Sequence, residues 1–368
     1  MLSDLIKRSN LLSKYDVGET VKGLAKKLGT KPDSILKLNS NENFFVPLSL
    51  LRSLMQEVIK DFDPRIYPRN EFKELKQSVG RYMEVSPKQI VIGAGSDQLI
   101  DLICRAILQE GDRVLSITPT FSIYSRSVEV VGASYVRIPL KKNFALDVDN
   151  ILASKNRKTK MVFLCSPNNP TANQFSIYEI ERLIKEFGGI VVIDEAYVDF
   201  ADQSVVDMVN HFENLVILRT FSKAFGLANL RIGYLVSNPK FSSTLEERFQ
   251  IPYIISSISL NMGVKLLDKK DVIETSIRDL KECRGKLISR LNRIYGVKAF
   301  ESKTNFVLIH LKKNSDTIYN LLLDKGIIVR NLGKILDLND CIRVSVAPPP
   351  IMDKFVEELT EIMSDSND

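Results

Sequence analysis

The chain of 368 residues contains no tryptophan, two histidines and four cysteines. Cys104, Cys165, Cys283 and Cys341 lie far apart, with neither CxxC nor zinc-ligand spacing. That excludes a disulfide-stapled scaffold and a zinc module. Three of them sit in apolar runs, where a small buried hydrophobe is expected, and a reducing cytoplasm is the expected location. Neither His211 nor His310 neighbours a second ligand candidate, which argues against a histidine metal site and a Ser-His-Asp hydrolase. No apolar run approaches the length that spans a bilayer. Asp4, Lys7 and Arg8 introduce charge too early for a secretory leader. The balance of 51 Lys+Arg against 45 Asp+Glu leaves +6, without a basic block interleaved with aromatics, so neither nucleic acid nor membrane is an expected partner. GxxxxGK[ST] is absent, which removes the P-loop nucleotide hydrolases. Any catalysis therefore falls to Lys, Asp, Tyr, Asn and Arg, with no metal.

Hydrophobic residues make up 44% and charged residues 26%, as in ordinary globular proteins. At roughly 150 residues per domain, two domains are expected. Short apolar runs at 90–92, 114–117, 161–165, 190–193 and 215–218 alternate with segments of helical period. This is the pattern of a buried, mostly parallel sheet flanked by helices. A polar cluster follows each run, at the sheet edge where open α/β folds bind ligands. Beyond about residue 245 the texture changes. A long helical pattern over 259–294 leads to strands at 306–309, 327–329 and 341–346. The fold class expected is α/β: a large domain over 36–250 and a smaller α+β domain formed by 1–35 with 251–368.

Three clusters carry chemistry. Gly93-Ala94-Gly95-Ser96-Asp97 opens a helix after a strand and can offer backbone N–H groups to a phosphate. It is not a dinucleotide fingerprint, because Gln98 stands where GxGxxG requires its third glycine. Asp194-Glu195-Ala196-Tyr197 ends a strand with carboxylates that suit a metal, a base role, or the partner of a protonated ring nitrogen. In Arg219-Thr220-Phe221-Ser222-Lys223-Ala224-Phe225-Gly226, a lysine among small and hydroxylic residues can be desolvated into a Schiff-base nucleophile. Arg231 follows close enough to fork onto a phosphate. By spacing alone, a surface loop with one solvated lysine is the favoured reading of this block.

Taken together and in order, these clusters resemble one family, the fold-type I pyridoxal-phosphate aminotransferases of class I/II. The resemblance is strongest to the histidinol-phosphate branch. It runs from Leu38-Asn39-Ser40-Asn41-Glu42-Asn43 through Tyr67-Pro68, Pro119-Thr120-Phe121 and Ser166-Pro167-Asn168-Asn169-Pro170-Thr171 to Ile342-Arg343-Val344-Ser345-Val346. It implies pyridoxal phosphate as cofactor, with Lys223 as the Schiff-base lysine and proton shuttle of a ping-pong mechanism. It further implies Asp194 on the pyridine nitrogen, Tyr197 and Asn169 on the ring's phenolic oxygen, and Phe121 on the ring face. Gly95, Ser96, Asp97, Thr220, Ser222 and Arg231 would cradle the phosphate. Tyr67 would reach that phosphate from the second subunit of a homodimer. Peptide bonds before Pro119 and Pro170 are expected cis.

For substrate, the resemblance implies Arg343 and Arg330 on the anionic groups, with Asn169 beside them and Tyr15 closing over that end. Histidinol phosphate would be the amino donor and 2-oxoglutarate the acceptor, which places the enzyme in histidine biosynthesis. Phe44, Ala172, Gln98 and Ala347-Pro348-Pro349-Pro350 depart from the family pattern and bear on substrate rather than cofactor. The alternatives are an aromatic amino acid aminotransferase, a phosphothreonine-type decarboxylase and a non-catalytic cofactor-binding regulator. A dehydrogenase is disfavoured by Gln98.

Overall fold

In the computed structural model, residues 18–364 together with Leu2, Ile6 and Leu12 are described. Tyr15 lies outside them. The thirteen strands are β1 (Leu36–Lys37), β2 (Ile90–Gly93), β3 (Arg113–Thr118), β4 (Ser134–Pro139), β5 (Thr159–Cys165), β6 (Ile190–Asp194), β7 (Leu215–Thr220), β8 (Gly233–Ser237), β9 (Val297–Ala299), β10 (Phe306–Leu311), β11 (Ile327–Ile328), β12 (Arg330–Ile335) and β13 (Leu338–Ser345).

The central sheet has seven strands in the order β2-β8-β7-β6-β5-β3-β4. Only β8 runs against the rest, since β7 and β2 each pair with it antiparallel while the other ladders are parallel. The inner strands β5 to β8 are almost wholly buried, which explains their continuous apolar runs, whereas the edge strand β4 is largely exposed. Register fixes which residues share the functional edge. Cys165 pairs with Asp194, and Gly233 pairs with both Gly93 and Thr220. The polar clusters are therefore brought side by side at the C-terminal ends of the parallel strands.

The second sheet, β12-β13-β10-β9, is antiparallel. The strand expected over 327–329 is present as Ile327 and Ile328, which pair with Leu36 and Lys37. A strand not expected from the sequence, Arg330–Ile335, follows it and pairs with β13. The single long helix expected over 259–294 is corrected. Ser257–Leu267 and Lys270–Leu291 are separate helices, broken at Asp268 and Lys269. The first packs on helices Leu48–Lys60 and Asn70–Met83, the second on Pro349–Ser364 and β9. One axis cannot satisfy both sets of partners.

Peptide bonds before Pro119, Pro167 and Pro170 are cis. All four cysteines are free and buried. Among the described residues no helix is long and apolar enough to cross a membrane.

Behind the functional edge lies a buried ion pair. Arg219 donates through Nε and Nη2 to Glu195 Oε2, at 3.0 and 2.8 Å. Ser204 Oγ and the Val205 amide complete the carboxylate's shell. Both charged side chains are nearly inaccessible, and removing Glu195 leaves Arg219, among the described residues, only the longer carboxylate contact with Asp199 Oδ1, at 3.8 Å. Glu195→Ala is expected to cost about 3–5 kcal/mol in denaturant unfolding. A loss below about 1 kcal/mol would show that water reaches the pair.

Candidate active site

A cavity of about 380 Å³ opens at the functional edge, between the central sheet and the β12–β13 hairpin. Lys223 follows β7 by three residues, and its Nζ donates to the Ser40 carbonyl at 3.1 Å. Burial is the main reason its ammonium is pushed down to about 8, with the positive charge of Arg343 adding to it. A lysine in this state can lose its proton near neutrality and attack a carbonyl carbon.

Asp194 ends β6 and is 2% exposed. Its Oδ2 accepts from Tyr124 Oη at 2.6 Å and its Oδ1 from the Ala196 amide at 3.0 Å. Burial outweighs these two hydrogen bonds and raises its carboxyl to about 6. Tyr197 presents its phenol to the same cavity and accepts from Asn41 Nδ2 at 2.9 Å. Its ring meets Phe306 edge-on, at 5.2 Å between centroids.

At the other end of the cavity, helix Gly95–Ile107 begins without any side-chain cap, leaving first-turn N–H groups available to an anion. Gly95 has φ +79°, and a Cβ there would stand 2.5 Å from Arg231 Nη2. A Cβ on Gly233 would fall 2.4 Å from the Gly95 carbonyl carbon. Only glycines let backbone and guanidinium approach this closely. Arg231 itself is held at φ +52°. It reaches Asp97 Oδ2 at 3.1 Å and Ser222 Oγ at 3.4 Å. Thr220 Oγ1 accepts from the Ser222 amide. Ser96, Asp97, Thr220, Ser222 and Arg231 all line the cavity, while Gly95 supports them from behind.

The β12–β13 hairpin closes the remaining side. Arg330 and Arg343 are directly opposed across the ladder and both line the cavity. Arg343 donates to Asn169 Oδ1 at 2.6 Å and to the Asn39 carbonyl at 2.7 Å.

Of the residues singled out in the sequence, the cavity gathers Ser96, Asp97, Phe121, Asn169, Asp194, Tyr197, Thr220, Ser222, Lys223, Arg231, Arg330 and Arg343. Tyr67 is not among them. It is 71% exposed and stacks on Tyr253 at 4.8 Å, outside the lining of this cavity. Sequence reasoning assigned no role to Tyr124, Asn41 or Cys165, although all three sit at the cavity or hydrogen-bond its groups. Asn41 belongs to a quoted motif; for Tyr124 there was no sequence signal. Among the described residues no group of three or more His, Cys, Asp or Glu side chains is placed to hold a metal ion.

Residues 33–359 match the family model for aminotransferase class I and II. A histidinol-phosphate aminotransferase of a Thermoanaerobacter species is 38% identical over 329 residues, covering 89% of this chain and 93% of the relative. One from Methanosarcina mazei is 34% identical and covers 96% and 95%. The solved histidinol-phosphate aminotransferase of Sinorhizobium meliloti, in complex with pyridoxal-5'-phosphate, superposes with a TM-score of 0.86 at 26% identity, covering 95% and 96%. An L-threonine-O-3-phosphate decarboxylase from Porphyromonas gingivalis, at 22% identity and TM-score 0.78, shares the fold. The chain belongs to the class I and II aminotransferases.

Proposed function

We propose that this protein is a pyridoxal-phosphate enzyme that moves an amino group from histidinol phosphate to a 2-oxo acid. The observation that carries the reading is one cavity holding a lysine depressed to about 8, a buried carboxylate raised to about 6, and two opposed arginines. The relatives' names supply the donor. A cytoplasmic homodimer is part of the proposal.

The residues fit the cofactor group by group. Asp194 is a buried carboxylate whose hydrogen bonds do not offset its burial. A protonated ring nitrogen supplies the missing cation. The uncapped helix start, Arg231 and the glycine-lined approach suit a dianionic phosphate. Phe121 lies on the cavity wall, where an aromatic face can cover a ring.

When bound, pyridoxal phosphate supplies an aldehyde to trap the amine and a ring that accepts the electron pair released from the donor's Cα–H bond. The chain's own groups do the rest. Asp194, as an anion, would hold the pyridine nitrogen and favour its protonated form. Tyr197 and Asn169 donate toward the phenolic oxygen. With its ammonium depressed toward neutrality, the Lys223 amine would serve as the general base for the donor's Cα proton and, once protonated, as the general acid that gives it back. Arg343 and Arg330 hold the donor's phosphate through forked hydrogen bonds. In the second half-reaction they hold an acceptor carboxylate while the same lysine runs the proton transfer in reverse. In the partner subunit's site, Tyr67 adds a hydroxyl donor to the phosphate cradle.

Arg330→Gln tests the donor. It is expected to raise KM for histidinol phosphate about 10- to 100-fold, the scale of a charge-assisted hydrogen bond, with little change for phenylalanine. Equal effects on both donors would favour the aromatic aminotransferase. Tyr67→Ala separately tests the dimer. Cofactor affinity should fall while thermal unfolding without cofactor is unchanged, and unaltered affinity would remove Tyr67 from the phosphate site.

A further inference from the structure

Asn41 is 2% exposed, lines the cavity and adopts φ +55°, a left-handed conformation that asparagine tolerates better than most residues. Its backbone is fixed at both ends. The Asn41 amide donates to Ser345 Oγ at 2.8 Å, and its carbonyl accepts from Asn305 Nδ2 at 2.8 Å. The carboxamide is thus held on Tyr197, to whose Oη Nδ2 donates at 2.9 Å, while Oδ1 has no hydrogen-bond partner among the described residues.

A phenolic oxygen carries one proton and two lone pairs. With Asn41 donating into a lone pair, the Tyr197 proton has to be donated elsewhere, and the cavity is the space its phenol faces. We propose that Asn41 is a positioning residue that commits the Tyr197 hydroxyl proton to the cavity, and so to the cofactor's phenolic oxygen. The inference rests on the cofactor reading above. It makes asparagine's donor, rather than its size, the requirement at this position. An aspartate would do the opposite: accepting only, it would draw the Tyr197 proton away from the cavity.

A hydrogen bond to the anionic phenolic oxygen favours that form. It therefore holds down the pH at which the bound cofactor changes colour. Absorbance titration of the holoenzymes tests the chain of effects, with thermal unfolding as a check on folding. Tyr197→Phe should raise the midpoint by about one pH unit, the scale of one such hydrogen bond. Asn41→Gly keeps the backbone conformation and should raise it by a fraction of that. Asn41→Asp should match Tyr197→Phe. Either Asn41 change made on top of Tyr197→Phe should add nothing further, because both act through one proton.

If Tyr197→Phe shifts the midpoint and both Asn41 variants keep the wild-type value, the Asn41 proposal fails and the cofactor reading stands. The proposal fails in the same way if the Asn41 shifts persist undiminished without the Tyr197 hydroxyl. A Tyr197→Phe midpoint equal to wild type overturns the proposal together with the role of Tyr197.

Discussion

Replacing Lys223 by alanine is expected to lower transamination by at least about 10³-fold, the range lost with a positioned acid–base group, and to abolish the proton-dependent colour of the bound cofactor. Cofactor affinity should fall less, because the phosphate cradle around Arg231 and Ser222 is untouched. Added methylamine should restore part of the proton transfer, since the missing group is a primary amine. The variant also changes stability in a predictable direction. Folding lowers the Lys223 pKa from 10.5 to about 8. Holding the charged form therefore costs stability that is fully lost below about pH 8 and recovered as pH rises toward 10.5. Without cofactor, Lys223→Ala should unfold at a higher temperature than wild type at pH 7, apart from any effect of the smaller side chain, and that advantage should shrink by pH 10. Wild-type turnover in the variant would remove Lys223 from the chemistry.

Asp194→Asn is the second large effect, and its two halves have opposite signs. Turnover should drop by about 10²- to 10³-fold, the scale of losing one preorganised electrostatic partner. Stability without cofactor should increase. The folded carboxyl sits at about 6 rather than 3.8 because it is buried. The cost of its charge therefore grows as pH rises between those values and is complete above the higher one. Asparagine removes a charge worth roughly 1–3 kcal/mol at pH 8, and nothing at pH 3.5. Tyr124 can turn to accept from the new amide. Paired thermal unfolding at the two pH values checks the sign. A destabilised variant at pH 8 would mean that Asp194 already has a cation partner within the protein. The pattern of a group that weakens the empty fold and serves the loaded one is expected where function, rather than folding, selected the residue.

The large sheet and its edge were legible because both signals are local. A strand buried on two faces reads as an uninterrupted apolar run, and the polar residues that follow Ile193, Leu218 and Cys165 mark its end. The break at Asp268 was not legible. Nothing in the local periodicity distinguishes one long helix from two whose packing partners differ. Nor was β12 legible: Arg330-Asn331-Leu332-Gly333-Lys334-Ile335 has no apolar run, and only Val329 separates it from β11, which belongs to a different sheet.

In the site, Lys223, Asp194 and Arg231 stand within short chemically telling motifs. Their supports come from far along the chain. Tyr124 reaches Asp194 across 70 positions, Asn41 reaches Tyr197 across 156, and Asn39 meets Arg343 across 304. Such pairs depend on the topology that brings sheet edge and hairpin together, which no window of sequence contains. Ala172 is held at φ +64°, a left-handed conformation that strains a residue with a Cβ.

The most direct test of the central claim is the visible spectrum of the purified, cofactor-loaded protein before and after histidinol phosphate is added, with no oxo acid present. The account predicts a yellow band that is lost as one amino group per site passes to the cofactor, and returns when 2-oxoglutarate is supplied. A yellow band unmoved by histidinol phosphate, but discharged by phenylalanine or accompanied by carbon dioxide from phosphothreonine, would contradict the proposed donor. A protein that stays colourless in excess pyridoxal phosphate would contradict the assignment of Lys223 itself.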